Sequence, residues 1–238
     1  MNVRQLQDRL YPPDTMIRSE DVLRELIYAN TGPSSRVLDA GAGAGLLFKY
    51  ELKGRVAEIV GVDLDPRVET NPQLDRGVCS DMGSIPVSDG YFDLVISRAV
   101  LEHISDPDSF LREINRVLKP GGMFLFLTPN KWHYVILFSR MTPHWFHEWY
   151  NERVRGRGDN DTFPAVYLLN SVGDVRRRLG KAGFLEDSIT LRESCPNYLL
   201  FSLPAFLLGA AYERIVNSSS LFSRLRANLL GQFRKAPS

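Results

Sequence analysis

Two rhythms of apolar and polar positions alternate along the first half of the chain. Short apolar runs rich in β-branched residues occur at Arg36-Val37-Leu38-Asp39, Glu58-Ile59-Val60-Gly61-Val62-Asp63, Phe92-Asp93-Leu94-Val95-Ile96-Ser97 and from Met123 to Thr128. Such runs predict strands covered on both faces. Between them, apolar residues recur at helical spacing. Ser19 opens one helix with Glu20 and Asp21 in its first turn, where the helix dipole favours acids, and Gly32-Pro33 ends it. Residues 1–18 are expected to be irregular or partly helical, interrupted by Tyr11-Pro12-Pro13. A short helix is predicted from Leu46 to about Leu52, closed by Gly54. Asp106 caps a stronger one, with Pro107 in its first turn and Phe110, Leu111, Ile114, Val117 and Leu118 as its buried stripe. Lys119-Pro120-Gly121-Gly122 then turns the chain. Ser171 and Asp174 form a capping pattern for a helix ended by Gly183, and Phe184–Leu191 and Tyr198–Leu203 are predicted as the last strands. Strands alternating with helices imply an α/β fold with right-handed crossovers and a mostly parallel sheet.

The stretch 129–170 breaks this rhythm and holds Trp132, Trp145, Trp149, His133, His144 and His147. A long connection so rich in aromatics predicts a lid. Within it Trp132, His133, Tyr134 and His147 are candidate substrate contacts. His144 and His147 lack partners at metal-ligand spacing apart from Glu148, and no metal is expected. Residues 194–212 are uncharged, yet Pro196, Asn197, Ser202 and Pro204 interrupt them, so a strand followed by an apolar helix is predicted rather than a bilayer span. Over 213–238, Arg214, Arg224, Arg226, Arg234 and Lys235 stand against Glu213, while Leu221, Phe222, Leu225, Leu229 and Phe233 fall near helical spacing. This predicts a basic amphipathic helical tail that lies on an anionic membrane surface or packs on a partner. The expected domains are therefore 1–212, with the lid inserted, and the tail 213–238.

Composition narrows the function classes. A chain of 238 residues that is 44% hydrophobic and 24% charged is neither disordered nor a multi-span membrane protein. Its net charge of +1 argues against electrostatically driven nucleic-acid binding. Two cysteines, Cys79 and Cys195, cannot build a disulfide framework, and no secretory signal is visible in Met1–Tyr11. A cytoplasmic, membrane-associated setting is expected.

The densest chemistry lies in Val37-Leu38-Asp39-Ala40-Gly41-Ala42-Gly43-Ala44-Gly45. A strand runs into three glycines alternating with alanines, a place where backbone bends sharply and a ligand can approach closely. A dinucleotide fingerprint would need Gly-x-Gly-x-x-Gly, and here its third glycine position is Leu46. Asp39, facing the turn, suits an ammonium group better than a pyrophosphate. Asp63, at the end of the next strand, can accept from both ribose hydroxyls. Asp81 can accept from an adenine amino group while Met82 packs on the ring. Ammonium, ribose and adenine together describe S-adenosyl-L-methionine.

These segments, with Gly61-Val62-Asp63-Leu64-Asp65, Ser80-Asp81-Met82, Phe92–Ser97, Leu101-Glu102-His103-Ile104 and Arg116-Val117-Leu118-Lys119-Pro120-Gly121-Gly122 following in order, resemble a class I S-adenosylmethionine-dependent methyltransferase of the small-molecule, type 11-like branch. The resemblance covers about residues 20–130. It implies a Rossmann-like, seven-stranded sheet with helices on both faces and the last strand antiparallel. It also implies cofactor contacts from Asp39, Gly41, Ala42, Gly43, Gly45, Asp63, Leu64, Asp81, Met82 and Ser97. The chain departs from the family at Asn71-Pro72, where a helix is expected to shorten to a loop. His103, just beyond the fourth strand, is the candidate catalytic base, the alternative being a cofactor-pocket residue, as the resemblance implies for its Leu-Glu-His segment. The expected enzyme moves a methyl group to a small or lipid-linked acceptor, at oxygen, and does not act on nucleic acid. The alternative is a non-catalytic cofactor-binding or assembly protein on the same fold.

Overall fold

The apolar runs do form strands. The computed structural model describes residues 2–12, 14–46, 49–141 and 164–237. Its strands are β1 (Arg36–Ala40), β2 (Glu58–Asp63), β3 (Arg76–Cys79), β4 (Phe92–Arg98), β5 (Leu118–Pro129), β6 (Phe184–Arg192) and β7 (Asn228–Lys235). They join in one sheet of order β3-β2-β1-β4-β5-β7-β6. The pairs β1–β2, β1–β4, β2–β3 and β4–β5 are parallel, and the last strands run antiparallel. β1 therefore has β2 on one side and β4 on the other, the reversal of strand order beside which α/β sheets bind ligands.

The helices are α1 (Val3–Leu10), α2 (Ser19–Ala29), α3 (Pro107–Val117), α4 (Tyr134–Met141), α5 (Val172–Lys181) and α6 (Leu203–Ser218). On one face of the sheet, Val37, Ile59, Leu94, Ile96 and Leu125 pack with Leu23 and Ile27 of α2. On the other, Phe124 meets Phe110 of α3 edge-on at 6.2 Å and lies 6.0 Å from Phe184, while Phe126 stacks on Phe233 at 5.9 Å. A fully buried phenylalanine contributes roughly 2–3 kcal/mol, so these rings hold α3, β6 and β7 against β5.

The chain divides into two compact units. One comprises residues 20–128, 165–190 and 230–238 and carries the body of the sheet. The other comprises residues 1–19, 129–164 and 191–229. Inside the latter, Tyr11 meets Phe206 edge-on at 6.2 Å and donates to Glu213 Oε2. Buried Asn130 donates to the carbonyls of Arg224 and Arg226, both at 2.7 Å. No described helix is long and apolar enough to cross a membrane.

The partly helical lead-in is α1, opened by an Asn2–Gln5 capping box and ending at Tyr11. Three local expectations are corrected. Lys49–Leu52 are not helical, and Leu47 and Phe48 lie outside the described residues. Tyr198–Leu203 is not a strand, because Ser202 accepts from Ala205 N–H and starts α6 with Pro204 in its first turn. The tail is not an amphipathic helix. Its end is β7, in which Leu229, Gly231 and Phe233 share one buried face, while Lys235 Nζ donates to the carbonyls of Asn115 and Leu118. The lid is described only at its ends, and His144, Trp145, His147 and Trp149 lie outside the described residues.

Candidate cofactor site

The end of β1 turns sharply because its next backbone groups are already committed. Gly41 N–H and Ala42 N–H both donate to Val62 C=O, at 2.8 and 3.3 Å. Gly41 adopts φ +89°, and a Cβ there would lie 2.1 Å from Val100 Cγ2. Gly41→Ala is expected to cost roughly 2–3 kcal/mol through positive φ and overpacking, read as a lower urea midpoint. An unchanged midpoint would contradict that packing.

Asp63 organises the turn from β2. Its Oδ2 accepts from Gly43 N–H at 2.8 Å and its Oδ1 from Asp65 N–H at 2.9 Å. Leu64, beside it, is half exposed. Gly43 stays open, since a Cβ there would meet only Asp63 Oδ2, at 3.9 Å. The sequence offered no signal for the next support, Asn71. This buried side chain donates to the carbonyls of Ala42 and Gly43, and Gln73 donates to that of Gly45. The helix expected to shorten here is a 3-10 turn, Pro66–Thr70, capped by Asp65. Asn71 follows it and props the glycines.

Asp39 is buried at the end of β1. Desolvation pushes its carboxyl up to about 7, against a smaller downward pull from Arg98 and an upward push from Asp63. Tyr50, also buried, faces Asp39 and is hydrogen-bonded to Arg98. Neither Tyr50 nor Arg98 stood out in the sequence, since no motif marks either. Asp39, Ala42, Gly45, Tyr50 and Asn71 line one concavity. Buried Ser97 donates to Ala40 C=O at 3.0 Å and so braces the end of β1 from β4. Asp81 lies in an exposed turn, where its carboxylate accepts from Gly83 N–H at 2.6 Å, with Met82 half-buried beside it.

Beyond β4 the chain reverses through Ala99 at φ +56° into a 3-10 turn, Leu101–His103. His103 is half-buried there. Its neighbour Glu102 is buried, and desolvation raises its carboxyl while a backbone hydrogen bond, His103, Thr128 and Arg98 lower it. Thr128 donates to Glu102 Oε2 at 3.0 Å and accepts from Asn170 at 2.7 Å, and Val166 N–H and Tyr167 N–H donate to Glu102 C=O. This network pins the C-terminal end of the lid to the turn that carries His103.

Trp132, His133 and Tyr134 belong to the other unit. Trp132 is half exposed. His133 is buried, with Nε2 3.2 Å from Glu193 Oε2 but without a hydrogen bond at that nitrogen. Its ring lies 4.3 Å from that of Tyr134, which meets Tyr212 edge-on at 4.7 Å.

Residues 38–126 match a methyltransferase-domain family. A malonyl-[acyl-carrier protein] O-methyltransferase of Halorhodospira halophila is 33% identical over 193 residues, 74% of this chain and 58% of that relative. A ubiquinone biosynthesis O-methyltransferase of Chromobacterium violaceum is 35% identical over 105 residues, 40% of this chain and 45% of its own. The chain spans about half the length of these curated relatives. Among solved structures, an S-adenosylmethionine-dependent methyltransferase of Mesorhizobium loti superposes with TM-score 0.56 at 18% identity, covering 92% of this chain and 98% of its own. The [4+2]-cyclase SpnF superposes with TM-score 0.54 at 19% identity, covering 92% and 81%. At such identities these two share the fold alone.

Proposed function

We propose that this chain, whose residues 38–126 carry a methyltransferase domain, binds S-adenosyl-L-methionine at the carboxyl ends of β1 and β2 and methylates an oxygen of a small or lipid-linked acceptor. One observation carries the reading. Asp39 is a buried carboxylate pushed up to about 7 by desolvation, beside an open glycine turn. A cationic ammonium group laid against it restores its ionised form and is recognised in return. Asp63 and Leu64 flank the ribose, Asp81 and Met82 the adenine, and the main chain of Gly41–Gly45 lies close against the ligand.

The bound cofactor supplies an electrophilic methyl group, so no covalent enzyme intermediate is required. What this chain's residues contribute is alignment and exclusion of water. His103 takes the proton that the acceptor hydroxyl loses as its oxygen gains the methyl group. Oxygen is favoured by the two relatives named O-methyltransferases. Others are named ubiquinone/menaquinone biosynthesis C-methyltransferases, so the product itself has to identify the atom.

The test is incubation of extracts with methyl-labelled cofactor, followed by mass identification of the labelled product. An O-methylated product is expected. His103→Ala should lower kcat roughly 100-fold, as loss of a general base does, with cofactor affinity unchanged. Unchanged kcat would reject the base role. Tight cofactor binding with no labelled product in any extract would instead select a non-catalytic cofactor-binding or assembly protein on the same fold.

A further inference from the structure

Helix α6 is apolar on the side where a surface helix is normally polar. Its buried residues are Phe206, Gly209, Ala210 and Val216. At 100° per residue, Leu203, Leu207, Ala211 and Ile215 form a stripe on the opposite side, with Leu208 next to it. Leu208 is 72% exposed, Ile215 55% and Leu207 48%. The 3-10 turn Ser220–Leu225 continues the surface with Leu221, 84% exposed, and Phe222. Isolated exposed leucines are ordinary, but a whole outward face of them marks an interaction surface.

Charge decides what covers it. Over Leu203–Leu225 the exposed charged residues are Arg214, on the same stripe, and Arg224. The acid of this segment, Glu213, is half-buried and accepts from Tyr11 Oη and Asn217 Nδ2. A twofold pairing of the face with a second copy would bring its arginines together with no acid between them. An anionic bilayer accepts the same pattern, with apolar side chains entering the acyl boundary and the arginines reaching headgroup phosphates. We infer that the outward face of α6 and the turn Ser220–Leu225 seats this protein on an anionic lipid surface. The inference deepens the proposed function by favouring its lipid-linked acceptor, while its own evidence is independent of the cofactor site. It also moves the membrane contact away from β7, which belongs to the sheet.

The full chain is sedimented with vesicles of phosphatidylcholine alone and of phosphatidylcholine with phosphatidylglycerol. Binding to the anionic vesicles is expected to be about tenfold tighter or more, and to fall by a similar factor in the triple variant L207S/L208S/L221S. Cofactor affinity, measured by calorimetry, should not change in that variant, which alters only exposed side chains. R214S/R224S should remove the preference for anionic vesicles. Absence of vesicle binding, or binding indifferent to the triple variant, would overturn the inference. So would a stable dimer that the triple variant dissociates. Vesicle binding without any cofactor binding would uphold this surface and sink the proposed function alone.

Discussion

Asp39→Asn is expected to stabilise the ligand-free protein and to weaken its cofactor binding. The carboxyl stands at about 7 in the folded protein against an ordinary value of 3.8, because burial removes its hydration. Below about pH 4 it is protonated in both folded and unfolded states. As pH rises towards 7 the unfolded chain ionises first, so Asp39 progressively subtracts stability. Asparagine does not ionise. The variant's advantage therefore grows across pH 4–7 and levels off above, at roughly 2–4 kcal/mol, readable as a higher urea midpoint at pH 8 and little change at pH 4. Binding moves the other way. Losing a buried charge partner for the ammonium should weaken S-adenosyl-L-methionine roughly a hundredfold. A variant that is both stabilised and tightly binding would contradict the role given to Asp39.

Asp63→Ala should weaken both the fold and the ligand. Its two carboxylate oxygens each accept a backbone N–H, from Gly43 and from Asp65. Removing them leaves two donors at the turn without their partner, at a cost of about 1–3 kcal/mol. The same carboxylate is the proposed ribose acceptor, so cofactor affinity should fall about a hundredfold or more. Asp63→Asn keeps one acceptor oxygen. It should recover most of the urea midpoint and little of the affinity. Recovery of both would place the ribose elsewhere.

Much of this was legible in the chain because the signals were local. The runs at Val37–Asp39, Ile59–Val62 and Leu94–Ile96 have lengths and β-branched content that suit buried parallel strands. Asp106-Pro107 marks the start of α3 by capping chemistry alone, and Asp106 does accept from Ser109 N–H. Asp39, the alternating glycines and Asp63 could be placed together because each follows or ends a readable strand.

What stayed hidden depends on partners distant in sequence. β7 reads as an amphipathic helix since Leu221, Phe222, Leu225, Leu229 and Phe233 satisfy helical spacing by coincidence. Only the sheet partners reveal that Leu229 and Phe233 are core while Leu221 is exposed. Its basic residues looked like a membrane signal, yet Arg234 pairs with Asp187 at 2.7 Å and Lys235 with backbone carbonyls. Asn71 looked like a mere helix breaker, and its bonds to Ala42 and Gly43 span 29 and 28 positions. Tyr50 and Arg98 meet Asp39 only through the fold. In the Leu46–Leu52 segment, leucine spacing suggested a helix that Lys49–Leu52 do not form.

The most direct test is calorimetric titration of the purified chain with S-adenosyl-L-methionine in buffers of different ionisation heat. The account predicts binding with release of close to one proton at about pH 6 and far less at pH 8, as the ammonium forces Asp39 to ionise. No binding at millimolar ligand, or binding with no pH-dependent proton release, would contradict it.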